Sequence, residues 1–130
     1  MFDCLRDYYC YRPEVIVDFI FDKGLLSIQI KNIGRRPAHN VHIDFDKQFY
    51  GLSGSKLFPE LAMFKNISFL APGKELTTFL DSSSAYFERD EPAQHTISVA
   101  YKDHRGKDYN DTIKHNLDIY RDIVYTESNG

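Results

Sequence analysis

Arg35 and Arg36 stand side by side in IKNIGRRPAHNVHIDF, residues 30–45, between two runs in which apolar and polar residues alternate. Neighbouring guanidinium groups suit a carboxylate or phosphate, which each can grip with two parallel N–H bonds. An anion site needs further donors converging on it, and this stretch supplies only one short basic pair. The competing reading is geometric. Asn32 can bond nearby backbone, Gly34 can take a positive φ, Pro37 fixes a dihedral, and Ala38 is small enough for a chain crossing between sheets. Geometry accounts for those residues and leaves Arg35 and Arg36 over, so a surface function is expected there first.

DHRGKD, residues 103–108, sets two acids and a histidine around a glycine, which invites a cation. It lacks the roughly twelve-residue register and closing Glu of an EF-hand loop, so a solvated hairpin tip is expected. The five histidines, His39, His42, His95, His104 and His115, fall into no order with Ser, Asp or Cys that selects one catalytic triad. His115 falls on the apolar phase of the last strand, where a satisfied core or edge histidine is expected. Cys4 and Cys10 are too few for a disulfide framework, and no second cluster completes a zinc quartet. The expectation is a chain that is not an enzyme and carries no cofactor.

Aromatic residues suggest partner contacts instead. Tyr8, Tyr9 and Tyr11 share the leader MFDCLRDYYCYRP with Arg6 and Arg12, a mixture suited to an edge that is apolar on one side and wet on the other. The leader could pack on the domain edge or dock a partner or membrane surface. Tyr86 and Phe87 sit in the polar stretch DSSSAYFERDEPAQ, residues 81–94, and either plug an open end or form a small exposed hot spot. Glu88, Asp90 and Glu91 read as solvated loop. Asn66-Ile67-Ser68 and Asn110-Asp111-Thr112 match glycosylation acceptors but lie in strand candidates.

The elements that must carry these residues follow a period of two. EVIVDFIF is a first strand and DKG a tight turn; LLSIQIK then puts Leu26, Ile28 and Ile30 on one face. VHIDF turns Val41, Ile43 and Phe45 inward. After turn-rich residues 50–60, NISFL and ELTTFL flank the turn APGK. HTISVAY and YNDTIKHNLDIY form a closing hairpin, with Ile97, Val99 and Tyr101 facing Tyr109, Ile113, Leu117 and Ile119. One helical turn is expected within 81–94, and no long helix. About seven strands with one apolar face each predict an all-β, antiparallel two-sheet sandwich, with a small barrel as the runner-up.

The bulk composition agrees with one domain. The chain has 130 residues, 42% hydrophobic and 15% aromatic, enough to bury a core. Sixteen basic against nineteen acidic residues leave a net charge of -3, so no nucleic-acid partner is expected. No apolar run approaches the roughly 18 residues of a membrane span, and the N-terminus lacks a secretory signal. A cytoplasmic or membrane-associated location is expected, the latter only through sequence outside this chain. The expected organisation is a leader or linker at 1–13, the β domain at 14–120 and a flexible tail at 121–130.

IKNIGRRPAHNVHIDF resembles the N-x-G-x-x-x-A-x-x-V corner between the second and third strands of immunoglobulin-like bacterial and archaeal domains, the CARDB-type modules among them. ISFLAPGKELTTFL is similar to their L-x-PG hairpin, and VAYKDHRGKDY to their closing Y-x-D-x-x-G hairpin. The resemblance spans about residues 14–120 and implies an immunoglobulin-like sandwich. It implies a non-catalytic accessory or interaction module, part of a larger or membrane-associated bacterial protein, with a protein partner or fused domain. The alternative expectation is a small carbohydrate- or cation-binding module. The aromatic leader, the Arg35-Arg36 pair and the long 81–94 segment depart from the family pattern.

Overall fold

Strict alternation becomes paired strands with one dry face. The computed structural model describes residues 11–123. β1 (Val15–Asp22) and β2 (Leu25–Asn32) form a hairpin closed by Lys23 and Gly24, both at positive φ (54° and 80°), which matches the twist of the flanking strands. β3 (Ala38–Phe45) then begins the second sheet. β4 (Tyr50–Gly51) and β5 (Lys56–Leu57) make a small ribbon, followed by a 3-10 turn at Phe58–Glu60 and helix α1 (Ala62–Lys65). β6 (Ile67–Leu70), β7 (Glu75–Ser82), helix α2 (Ser83–Glu88), β8 (Gln94–Lys102), β9 (Asp108–Asn116) and a 3-10 turn at Leu117–Tyr120 complete the order.

The three-stranded sheet runs β1-β2-β7 and the four-stranded sheet β6-β3-β8-β9, with every pairing antiparallel. Val15, Val17 and Phe19 from β1 and Leu26, Ile28 and Ile30 from β2 are buried, as are Val41, Ile43, Ile97, Val99 and Tyr101 from the other sheet. Each such face needs a cover, and each covers the other; a fully buried side chain of this size contributes about 1.5–3 kcal/mol. Across the gap, His115 Nε2 lies 2.8 Å from the Val17 carbonyl oxygen, joining the last strand to the first. His115 also packs edge-on against Phe19.

The domain is all-β and sandwich-like, with nine strands in three antiparallel sheets among the described residues rather than about seven in two. The extra pair, β4 and β5, is too short to show alternation. It is held instead by buried Phe49 and Phe58 and by the Leu52 N–H donating to the Leu80 carbonyl (2.7 Å). Ile119 also departs from expectation. The Asn116 side chain accepts from the Asp118 N–H (3.0 Å) and starts the 3-10 turn, so the period of two ends there. Leu117 stays buried while Ile119 is exposed. Among the described residues no helix is long and apolar enough to cross a membrane.

The corner after β2 is built on Asn32, which is completely buried. Its side-chain oxygen accepts from the Glu14 (3.1 Å) and Gly34 (2.9 Å) N–H groups, and its amide nitrogen donates to the Arg36 (2.8 Å) and Leu70 (3.0 Å) carbonyls. Gly34 is needed for closeness and not for a positive φ. A Cβ there would run into the Arg12 carbonyl oxygen and lie 2.6 Å from Glu14 N, because residues 12–14 pass directly over it.

Removing the Asn32 side chain strands those backbone groups, and a buried unsatisfied group costs about 1–3 kcal/mol. Asn32→Ala is therefore expected to lose about 2–4 kcal/mol in urea unfolding, with the slope against denaturant unchanged. Asn32→Asp, which sets a carboxylate oxygen against two carbonyls, should lose at least as much near neutral pH. A loss below about 0.5 kcal/mol for both would show that the corner holds without this residue.

Candidate functional site

Strand register brings three distant segments to one end of the sandwich. Val15 pairs with Asn32, and the Arg35 N–H donates to the Arg12 carbonyl (3.0 Å), so residues 11–14 run alongside the corner. His39 at the start of β3 pairs with Lys102 at the end of β8, which sets the 103–107 tip beside the same corner. Between them lies a cavity of about 350 Å³. Arg12, Arg36, Arg105 and Lys107 line it with His104, Tyr11 and Tyr109, and Asp103 is the carboxylate among them.

The tip is braced by local hydrogen bonds. One Asp103 oxygen accepts from the Arg105 (2.8 Å) and Lys107 (3.0 Å) N–H groups, and the other from the Tyr109 hydroxyl (3.1 Å). Gly106 supplies the positive φ (84°) that closes the turn. Desolvation alone would raise the Asp103 carboxyl, but these donors outweigh it and hold it below the ordinary range. The same arrangement, desolvation first and then the bond to Asp103, pushes the Tyr109 phenol up. The Tyr109 ring stacks on Tyr101 (5.5 Å, 9°), with the Arg12 guanidinium 5.5 Å and the Lys107 ammonium 5.4 Å from its centroid.

Of the residues singled out in sequence, Arg36 is exposed and lines this cleft, while Arg35 is exposed and lies 5.4 Å over the Tyr11 ring. Tyr11 is half-exposed, and Tyr8, Tyr9, Cys4 and Cys10 lie outside the described residues. Tyr86 and Phe87 belong to the opposite end of β8, roughly 20 Å away along the strand. Tyr86 offers a partner no surface. It is fully buried, and its hydroxyl donates to the Pro92 carbonyl (2.6 Å). Phe87 is half-buried under the Arg121 guanidinium, 4.3 Å from its centroid. Arg105, Lys107 and Tyr109 are cleft residues the sequence did not single out, while Arg12 stood out only as part of the aromatic leader. Arg105 and Lys107 were visible in DHRGKD, but attention to its acids hid its cations.

At the far end, Arg89 and two acids pair with one another. Arg89 reaches Asp81 (2.8 Å), Glu91 (3.1 Å) and the Tyr50 carbonyl (2.9 Å), so Glu91 is not solvated loop but part of a half-buried network. Desolvation opposes the Arg89 charge, and the bonds to Asp81 and Glu91 more than offset it, pushing its pKa up. His95 is buried, stacked on Phe19, with Nε2 3.0 Å from the Pro92 carbonyl and 3.1 Å from the Tyr86 hydroxyl. That geometry puts the proton on Nε2 and leaves Nδ1 buried with no hydrogen-bond partner among the described residues. Burial pushes the His95 pKa down to about 4. Burial, reinforced by the Glu91 charge, pushes the Tyr86 phenol up.

A family model described as "Domain of unknown function (DUF8453)" matches residues 10–121. No curated protein matches the chain.

His95 makes folding sensitive to acid with a definite sign. The unfolded chain takes up the proton near 6.5 and the native chain only near 4, so between those values the unfolded state binds more protons. Stability from this residue is fully present above pH 6.5 and is lost as pH falls towards 4, by about 3 kcal/mol at most. Urea unfolding at pH 7.5, 6, 5 and 4 should show wild type losing more than His95→Gln across that window. Parallel curves would show that His95 titrates normally in the native state.

Proposed function

The chain belongs to the DUF8453 family, and from that premise we propose that it is a non-catalytic protein-interaction or accessory module that engages its partner at the basic end cleft. One observation carries the reading. Residues 11–12, the corner at Arg36 and the tip at 103–109 are far apart in sequence, yet together they wall a cavity of about 350 Å³ with four cations and two tyrosines. Arg and Tyr are the side chains that most often dominate protein–protein binding, because each presents a large rigid surface with a polar tip.

The immunoglobulin-like form of the fold is part of the same proposal. A three-stranded sheet β1-β2-β7 facing a four-stranded sheet β6-β3-β8-β9 supports it, and so does the Asn32–Ala38 corner joining them. In this reading the chain is an accessory part of a larger or membrane-associated bacterial protein, akin to CARDB-type modules. The non-catalytic half rests on occupied groups: the Asp81 and Glu91 carboxylates are held by Arg89, and His95 is shut into the core. The cation-binding alternative is less favoured at 103–108. Asp103 spends both oxygens on its own turn, and Asp108 pairs with Lys102.

Photo-cross-linking in cells tests the proposal. A photoreactive residue at Arg36 or Arg105 should give one discrete cross-linked species, while the same probe at exposed Thr77 on β7 should give none. Equal labelling from all three positions, or none from any, would remove the cleft as the binding surface.

A further inference from the structure

We infer that the cleft takes an acidic peptide segment of a protein partner, with Arg36 and Arg105 as its anchors; this deepens the interaction reading above and rests on it. The chain as a whole carries a net charge of -3, yet this end gathers Arg12, Arg36, Arg105 and Lys107 around one carboxylate. That carboxylate, Asp103, is turned into its own hairpin by three donors and is spent on structure. Among the described residues neither Arg36 nor Arg105 forms an ion pair, whereas Arg12 has Glu14 at 3.9 Å. Two guanidinium forks therefore stand at the cleft without an ion-pair partner among the described residues.

The shape of the site favours carboxylates spread along a chain over one compact phosphate. The cations come from three segments, and the cavity, at about 350 Å³, is several times larger than a phosphate group. Asp103 among them would repel a dense dianion placed centrally, but a peptide can distribute its charges around it. Each free fork matches a carboxylate with two parallel bonds. Half-exposed Tyr11 adds a flat flank for the peptide backbone. The gathering of cations at this cleft, in a chain of net negative charge, favours the approach of an acidic segment to this end.

The test uses the full chain and a fluorescent peptide of alternating Glu and Gly. Saturable binding is expected, with amide NMR shifts confined to residues 11–12, 34–37 and 103–109. Affinity should fall about tenfold in the Arg36→Glu/Arg105→Glu double variant, and fall steeply with added salt. Both side chains are exposed, so the variant should keep its melting temperature, which is measured alongside. Unchanged affinity in the double variant would overturn the inference. So would tighter binding of inorganic phosphate, a single-stranded oligonucleotide or phosphatidylserine vesicles than of the peptide. Selection from a random displayed peptide library separates the two levels. Peptides that map to the cleft without enrichment in Asp or Glu would overturn the acidic segment and leave the interaction module standing. Failure of any selected peptide to map there would remove both.

Discussion

One buried amide holds the corner on which both sheets depend. The Asn32 side chain makes four hydrogen bonds to backbone groups, and its own backbone adds two more, accepting from Gly73 N–H (2.8 Å) and donating to the Lys74 carbonyl (3.1 Å). A carboxamide is the side chain suited to this place, since it offers two donors and an acceptor in one plane. Burying it half-satisfied would be costly; burying it fully satisfied specifies one arrangement of the approach to β1, the corner, the end of β6 and the β6–β7 turn. The position of Arg36 is a by-product. Its carbonyl is tied to Asn32, so its side chain is delivered to the end of the sandwich, whatever it meets there.

The two ends of the domain have opposite electrostatic characters. Around α2, Arg89 is answered by Asp81 and Glu91, the Tyr86 hydroxyl by the Pro92 carbonyl, and the Ser82 side chain caps the Ala85 N–H. Around the corner and the β8–β9 tip, Asn32 and Asp103 answer backbone groups, but among the described residues the guanidinium groups of Arg36 and Arg105 form no ion pair. A folded chain has no stability reason to gather like charges, since their repulsion works against folding. The contrast between ends, more than either end alone, is what makes the cleft a candidate for use.

Much of the fold was legible because burial on one face writes itself as a period of two, as in Leu26-Ile28-Ile30 and Ile97-Val99-Tyr101. Where burial had another origin, the pattern was silent. β4 and β5 are two residues each, and Ile119 kept the strand's phase after the backbone had left it. The corner was recognised, but the reason for Gly34 was not, because a passing backbone from residues 12–14 leaves no mark at position 34 itself. The site was legible in half. Arg36 drew attention as a basic residue without a structural role, whereas its neighbours across the cleft are set by register between strands some seventy residues apart in number. Tyr86 is ambiguous in sequence, an aromatic in a polar stretch that can plug an open end or stay exposed, and a short helix turns it inward.

The bond from His115 to the Val17 carbonyl joins residues 98 apart in the chain. It is a contact that forms only once both ends of the domain are in place. On a chain made from its N-terminus, β1 and β2 can pair early, but β8 and β9, which pack against β1, are made much later. A domain closed by its last strand must hold an uncovered apolar ribbon for nearly the whole of its synthesis, and contacts so distant form slowly.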